Sequence, residues 1–126
     1  MTKNEISKKV LDAAFEIHRE LGQGLLESVY EAIMEYELIH TYGLKVTRQQ
    51  RIPVIWKSMR LELGFRSDLV VESKVIVELK SVEAVPPVYP KQLLTHLRLT
   101  NLKLGMLINF NVALLKDGIK RIANNL

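Results

Sequence analysis

Phe65-Arg66-Ser67-Asp68-Leu69-Val70-Val71-Glu72-Ser73-Lys74-Val75-Ile76-Val77-Glu78-Leu79-Lys80 reads as two apolar strands joined by a tight polar turn. A turn centred on Ser73 pairs Val71 with Val75, and counting outward sets Asp68 opposite Glu78. Cross-strand neighbours on one face have β-carbons about 5 Å apart. Two carboxylates held that close repel each other unless a proton or a cation stands between them. Lys80 follows Glu78 by two residues, so strand alternation turns it to the same face. Two acids and a lysine on one sheet face suit a divalent metal and a phosphate. The alternative is a solvated polar face on a half-exposed strand, with Lys80 paired to Glu78. Everything rests on register, since a slip of one residue puts the acids on opposite faces.

Working outward, Ile6, Val10, Ala13, Ala14, Ile17 and Leu21 recur at helical spacing and predict an amphipathic helix over residues 3–21. Gly22-Gln23-Gly24 breaks it. A second helix is expected from Leu25 to Thr41, with Leu25, Val29, Ile33 and Tyr36 on its buried stripe and Gly43 after its end. Lys45–Trp56 is rich in β-branched residues and reads as a strand, which Pro53 assigns to an edge or a bulge. Lys57-Ser58 is a turn, and Met59–Phe65 continues the meander, either as its own strand or as one long bent strand reaching Val71. Pro86, Pro87 and Pro90 crowd the next connector. A third helix starts near Pro90, where proline suits the first turn, and carries Leu93, Leu94 and Leu97 to about Thr100. Gly105–Phe110 is a compact apolar strand expected to be buried on both faces. Ala113–Leu115 and Ile119–Ile122 flank Lys116-Asp117-Gly118, which predicts a hairpin. The order helix, helix, three-strand meander, helix, strand, strand describes an α/β (α+β) domain on one mixed sheet of about four to six strands flanked by helices.

At 126 residues the chain is expected to form a single domain over residues 1–126, large enough for a normal core. Its 48% apolar and 25% charged residues fit an ordinary globular protein. Eighteen basic against fourteen acidic residues give +4, which permits nucleic-acid binding without demanding it. The absence of cysteine excludes disulfides, iron–sulfur clusters and thiolate zinc, and three scattered histidines argue against a histidine-built zinc site. Any metal would be a hard ion on oxygen ligands, Mg²⁺ or Mn²⁺. The N-terminal pattern is amphipathic rather than signal-like and no apolar run is long enough to span a membrane, so a cytoplasmic protein without membrane association is expected.

Further residues invite a chemical reading. Glu27, in Gly24-Leu25-Leu26-Glu27-Ser28-Val29-Tyr30, sits in the first turn of the second helix, where a glutamate either caps free amides or serves a site. Tyr30 packs in the core or hydrogen-bonds the site. Gln92 opens the third helix and could orient a water or a phosphate; His96 lies one turn further along the same face. His18 lies beside the apolar stripe of the first helix, in the manner of a packed, hydrogen-bonded histidine. Arg48, Arg51, Lys57, Arg60 and Arg66 make the meander basic, which suits phosphate contacts or simple solvation.

Together these residues resemble the small family named for its Gly-x-x-Glu-x-x-Tyr signature, a branch of the PD-(D/E)XK nuclease superfamily. Gly24, Glu27 and Tyr30 match the signature, and the likeness extends through His18–Glu31, Arg66–Val71, Val75–Lys80, Gln92–Leu94 and Gly105–Phe110. The resemblance implies a restriction-endonuclease-like core of helix, three strands, helix and strand. By position it assigns Asp68, Glu78, Lys80, Glu27 and Gln92 to catalysis. Glu27, Asp68, Glu78 and the Leu79 carbonyl are then the holders of one or two Mg²⁺ or Mn²⁺ ions, with Tyr30, His96, His18 and Arg66 supporting them or the substrate. Two departures stand out: His96, where the family pattern usually has tyrosine, and Val88-Tyr89-Pro90-Lys91 before Gln92. The implied activity is metal-dependent hydrolysis of phosphodiester bonds of DNA or RNA, with DNA favoured over RNA. The alternative is a catalytically silent nucleic-acid- or partner-binding module on the same fold, and a homodimer is compatible with both.

Overall fold

The computed structural model describes residues 1–125, with only the backbone of Leu63. The first helix, α1 (Lys3–Leu21), begins at a capping box: Thr2 Oγ1 accepts the Glu5 amide at 3.1 Å and Glu5 Oε1 accepts the Thr2 amide at 3.2 Å. Ile6, Val10, Ala13, Ala14 and Ile17 form its buried face as expected, while Leu21 at its end is exposed.

The second helix, α2 (Glu27–His40), starts two residues later than its pattern suggested and is rotated from the expected stripe. Tyr30, Glu31, Met34 and Leu38 are buried, whereas Val29 and Tyr36 face outward. Two apolar stripes compete on this helix, and Tyr30 decides between them. Its ring stacks on Phe110 at 4.3 Å, and its hydroxyl donates to the Gly22 carbonyl at 2.6 Å, which fixes the rotation of the first turn. Burial of Glu31, which apolar periodicity could not anticipate, is compensated by Arg48 at 3.0 Å.

Five strands follow in the spatial order β1-β2-β3-β4-β5: β1 (Val46–Trp56), β2 (Met59–Val71), β3 (Val75–Lys80), β4 (Leu104–Asn109) and β5 (Ile119–Ala123). β3 and β4 are parallel and all other pairs antiparallel, with α3 (Val88–Thr100) in the crossover between them. The helix–three strands–helix–strand core implied by the resemblance is therefore present, and Met59–Val71 is one long strand. β1 lies at a sheet edge, and its register with β2 is irregular between Ile52 and Val54, on either side of Pro53. The expected hairpin around Lys116-Asp117-Gly118 is not formed. Leu115–Gly118 is a 3₁₀ turn, and β5 pairs instead with the fully buried β4, where its backbone groups find a ladder.

Each face of the sheet has its own core. α1 and α2 cover Leu69, Val71, Val75, Val77 and Leu79, joined by Leu104, Met106 and Ile108. α3 covers the other face, where Leu93 and Leu97 meet Val70, Ile76 and Leu107. Gly105 permits that approach: a β-carbon there would stand 2.9 Å from Leu93 Cγ.

The rotation of α2 is checked by substitution. Met34→Ala should destabilise by about 2–5 kcal/mol, whereas Tyr36→Ala, on the exposed side, should stay within about 0.5 kcal/mol of wild type in urea unfolding.

Candidate active site

The register of β2 on β3 runs Val71–Val75, Val70–Ile76, Leu69–Val77, and there the backbone ladder stops. One further step brings Asp68 opposite Glu78, as the sequence suggested. The strands part at this point because a side chain takes over from the backbone: Asp68 Oδ2 accepts the Leu79 amide at 2.8 Å. Asp68, Glu78 and Lys80 alternate with the core residues Val70 and Ile76, so all three lie on the face covered by α3.

There they line one cavity of about 170 Å³ together with Arg66, Gln92 and His96. Six of the candidate residues named from sequence thus share one concave site. Lys80 is not paired with Glu78; its ammonium lies 4.8 Å from the centroid of the Tyr89 ring, also in the cavity wall. His96 stacks flat on Phe65, with centroids 3.6 Å apart, and its buried Nδ1 has no protein partner. Burial lowers the pKa of its imidazole, which favours the neutral ring.

Glu78 is the electrostatic centre of the cavity. Its Oε1 is buried and lacks a hydrogen-bond partner. Burial, followed by the Asp68 charge and a hydrogen bond with Asp68, pushes its pKa up to about 9, and Lys80 only partly opposes this. Without a cation, the pair holds a proton at neutral pH.

Glu27 is not in this cavity. It lines the adjoining one, formed by Gly24–Ser28, Ser81 and Asn111. Its Oε2 accepts the Ser81 amide at 3.4 Å, while Ser81 Oγ donates to the Leu25 carbonyl at 2.6 Å. Among the described residues no three His, Asp or Glu side chains are gathered closely enough to hold a metal by themselves. The two carboxylates are nevertheless related. Asp68 takes the Leu79 amide and Glu27 the Ser81 amide, two successive positions on the β3 edge that β2 has left. The Lys80 carbonyl is turned the other way, accepting Phe110 N from β4 at 2.9 Å. Alternation therefore points the Leu79 carbonyl into the gap between the two acids.

A sequence profile of the PD-(D/E)XK nuclease superfamily matches residues 4–122. The chain belongs to this superfamily. No curated protein and no solved structure is significantly similar to it. Membership carries a nuclease type of activity, divalent metal as the general cofactor and nucleic acid as the substrate class. No helix among the described residues is long and apolar enough to cross a membrane.

Leu79, Tyr30 and His18 of this nuclease-superfamily chain, like Glu27, are not among the residues lining the cavity. Tyr30 holds the loop ahead of α2: besides donating to Gly22, its hydroxyl accepts the Leu25 amide at 3.4 Å. Gly24, at φ +103°, gives that loop a turn few other residues adopt. Glu27 is thereby placed at the first turn of α2. His18 Nε2 bonds the Val112 carbonyl at 2.8 Å, tying α1 to the segment after β4.

Sequence reasoning missed Gln49, Glu31 and Asn109. Gln49 holds φ +53° within β1, and its amide donates to Glu31 at 2.9 and 3.1 Å and to Asp68 Oδ1 at 3.3 Å. Asn109, buried, bonds both the amide and the carbonyl of Val82 and so fixes the loop following Lys80. A polar residue ending an apolar strand was the only available sign for Asn109; nothing in the pattern marked Gln49.

The raised pKa of Glu78 has a consequence for stability. The unfolded chain loses this proton near the ordinary carboxyl value of 4.5, the folded chain only at about 9, so the folded state binds more protons between these values and stability falls as pH rises through that window. Glu78→Gln should remove this slope and leave the variant more stable than wild type at pH 7 and 8, as read by urea unfolding across pH 4–9.

Proposed function

We propose that this protein is a metal-dependent nuclease hydrolysing phosphodiester bonds, of DNA in preference to RNA, within the branch marked by Gly24, Glu27 and Tyr30. One observation carries the reading: Asp68 and Glu78 meet where two strands part, with a buried Glu78 oxygen that lacks a partner and Lys80 on the same face. These are hard oxygen donors, and they fit Mg²⁺ or Mn²⁺. Asp68, Glu78 and the Leu79 carbonyl would hold the ion, with Glu27 completing the set from the adjoining cavity. Such an ion lowers the pKa of a bound water and neutralises charge on the scissile phosphate.

The chain's own groups divide the remaining work. Asp68 is oriented by the Leu79 amide and the Gln49 amide, so its carboxylate keeps its direction when Glu78 gives up its proton. Lys80 lies against the Tyr89 ring and brings its ammonium to the phosphate or to the attacking water, where fixed charge favours the transition state. Gln92, exposed on α3 at the cavity wall, offers an amide to hold water or a phosphate oxygen. A neutral His96 contributes a hydrogen bond rather than a charge.

The full-length protein, given Mg²⁺ or Mn²⁺ and single-stranded, duplex and branched DNA and RNA, should cleave at least one DNA form. Asp68→Ala and Lys80→Ala should each reduce the rate on the order of a hundredfold or more. Undiminished cleavage in both variants would show that the chemistry lies elsewhere. Independently of turnover, Mn²⁺ should raise the thermal midpoint of the wild type, more strongly at pH 8 than at pH 6, because the proton on Glu78 must leave. Glu78→Ala should show no Mn²⁺ shift relative to its own metal-free state.

A further inference from the structure

β1 and β2 are far longer than β3, which pairs with β2 only at Leu69–Val71. From Gln50 to Trp56 and from Met59 to Ser67 the two strands have only each other as ladder partners, forming a two-stranded arm that extends beyond the sheet and meets α3 at its base, where Phe65 stacks on His96. Such a ribbon gains little from burial and is marginal unless something lies against it. At its tip, Trp56 opposes Met59 and Val54 opposes Leu61, so strand alternation puts all four on one face. Trp56 is 64% exposed, Met59 49% and Leu61 46%.

The charge of the arm identifies what lies against it. Gln50–Arg66 contains four basic residues against the single acid Glu62, a net +3 of the chain's +4. Glu62 is already engaged by Arg60. Arg51 and Arg66 stand directly opposite one another across the two strands. Like charges at opposed positions are destabilising. Among the described residues no carboxylate lies within ion-pairing distance of either. Two guanidinium groups so placed form a receptor for an anion, and their planar forks match phosphate oxygens. Arg66 also lines the Asp68–Glu78 cavity, and Arg51 and Arg66 share the next concavity with Glu62, Gly64 and Phe65, Glu62 being the acid that Arg60 engages. The arm is therefore continuous with the site.

We propose that this arm binds the nucleic-acid strand as it leaves the acid cavity: Arg51 and Arg66 clamp a phosphate beside the scissile one, and the strand crosses the edge of the ribbon so that Trp56, on the opposite face by the same alternation, stacks on an unpaired base further along. The inference rests on the nuclease reading for its substrate and adds to it a strand-tracking surface with a defined reach. Seven strand steps separate Arg66 from Met59, about 23 Å at roughly 3.3 Å per residue. A stacked strand rises about 3.4 Å per nucleotide, so the tip lies about seven nucleotides from the clamp. Aromatic stacking of unpaired bases tolerates any sequence, which makes the arm a non-specific grip for single-stranded segments. A second copy of the chain fits the apolar tip less well, because pairing two arms would bring together +3 and +3.

Trp56 is the only tryptophan, so intrinsic fluorescence reads the tip directly. The full-length protein is titrated with single-stranded DNA of 4, 8, 12 and 20 nucleotides and with a blunt 20-base-pair duplex, with Ca²⁺ replacing Mg²⁺ so that binding is read without turnover. Emission should be quenched by the 12- and 20-mers and not by the tetramer. Arg51→Glu should weaken binding of the 20-mer tenfold or more, and Arg51→Ala should lower the slope of log affinity against log salt by about one. Trp56→Ala removes the fluorophore and is therefore read by the anisotropy of end-labelled DNA, where it should weaken the 20-mer and leave the tetramer unchanged; Lys57→Glu, at an exposed position, repeats the test, and circular dichroism verifies folding. Equal affinity of wild type and Arg51→Glu for all lengths overturns the proposal. So does concentration-dependent dimerisation in sedimentation that Trp56→Ala abolishes, which would assign the tip to a second copy. The two readings fail separately: length-dependent quenching without cleavage under Mg²⁺ or Mn²⁺ refutes the nuclease and keeps the arm, and Asp68-dependent cleavage indifferent to the arm variants does the reverse.

Discussion

The site exists because β2 and β3 cannot remain paired past Leu69 and Val77. Continuing the ladder would seat two carboxylates side by side beneath α3, at a position where Glu78 Oε1 is already cut off from solvent. The chain resolves the conflict by substituting a side chain for a strand: Asp68 takes the Leu79 amide, and Glu27 takes the Ser81 amide beyond it. A backbone edge in the middle of the molecule is thereby kept satisfied and yet open. The same burial that makes β3 a rigid support, with Ile76 and Leu79 almost wholly enclosed, is what holds a proton on Glu78. Rigidity and electrostatic strain have one origin here.

This feature was legible in the sequence because it depends on counting. A turn at Glu72-Ser73, where both residues take positive φ, fixes the pairing, and period-2 alternation does the rest. The helices α1 and α3 and the buried strand β4 were readable for the same reason, since burial on one or both faces imposes a period. What was not legible followed from contacts between distant segments. The face of α2 is chosen by Tyr30 stacking on Phe110, eighty residues away in sequence; two apolar stripes were available and periodicity cannot rank them. The pairing of β5 with β4 rather than with Ala113–Leu115 is likewise decided by which buried backbone needs a partner. Glu27 was marked as a candidate beside Asp68 and Glu78, but it lines a different cavity, a distinction no motif spacing encodes.

Helix α2 supports the site at two levels. Its first turn carries Glu27, and one turn later Glu31, buried, receives the Gln49 amide. Gln49 adopts a left-handed conformation inside a strand, which for a non-glycine residue costs about 1–3 kcal/mol and persists only where the surroundings require it. The requirement is visible: in this conformation one amide group reaches both oxygens of Glu31 and Oδ1 of Asp68. Asp68 is then held through both of its oxygens, by the β3 backbone on one side and by Gln49 on the other. Arg48, bonded to Glu31 and lying 3.7 Å from Glu35, holds the anchoring carboxylate in place.

Charge is distributed so that attraction and repulsion for a polyanion lie within one continuous surface. The arm concentrates most of the net positive charge, while the cavity it leads into presents two acids that share a proton. A phosphate drawn along the arm would meet Arg66 and then face Asp68 and Glu78, an arrangement that repels it as long as those carboxylates are ionised and uncompensated. Lys80 supplies one positive charge against two potential negatives, and part of its interaction is directed at Tyr89. With Arg66 the cavity wall carries two cationic side chains against these two acids, so the local balance turns on whether Glu78 keeps its proton. A bare proton on Glu78 removes the repulsion but also removes the ligand, whereas a divalent cation removes the repulsion and keeps both oxygens engaged. On the proposed reading a cation would complete the site, and the parts would act in order: the arm would supply the attraction, and the acids would determine whether the strand can be seated.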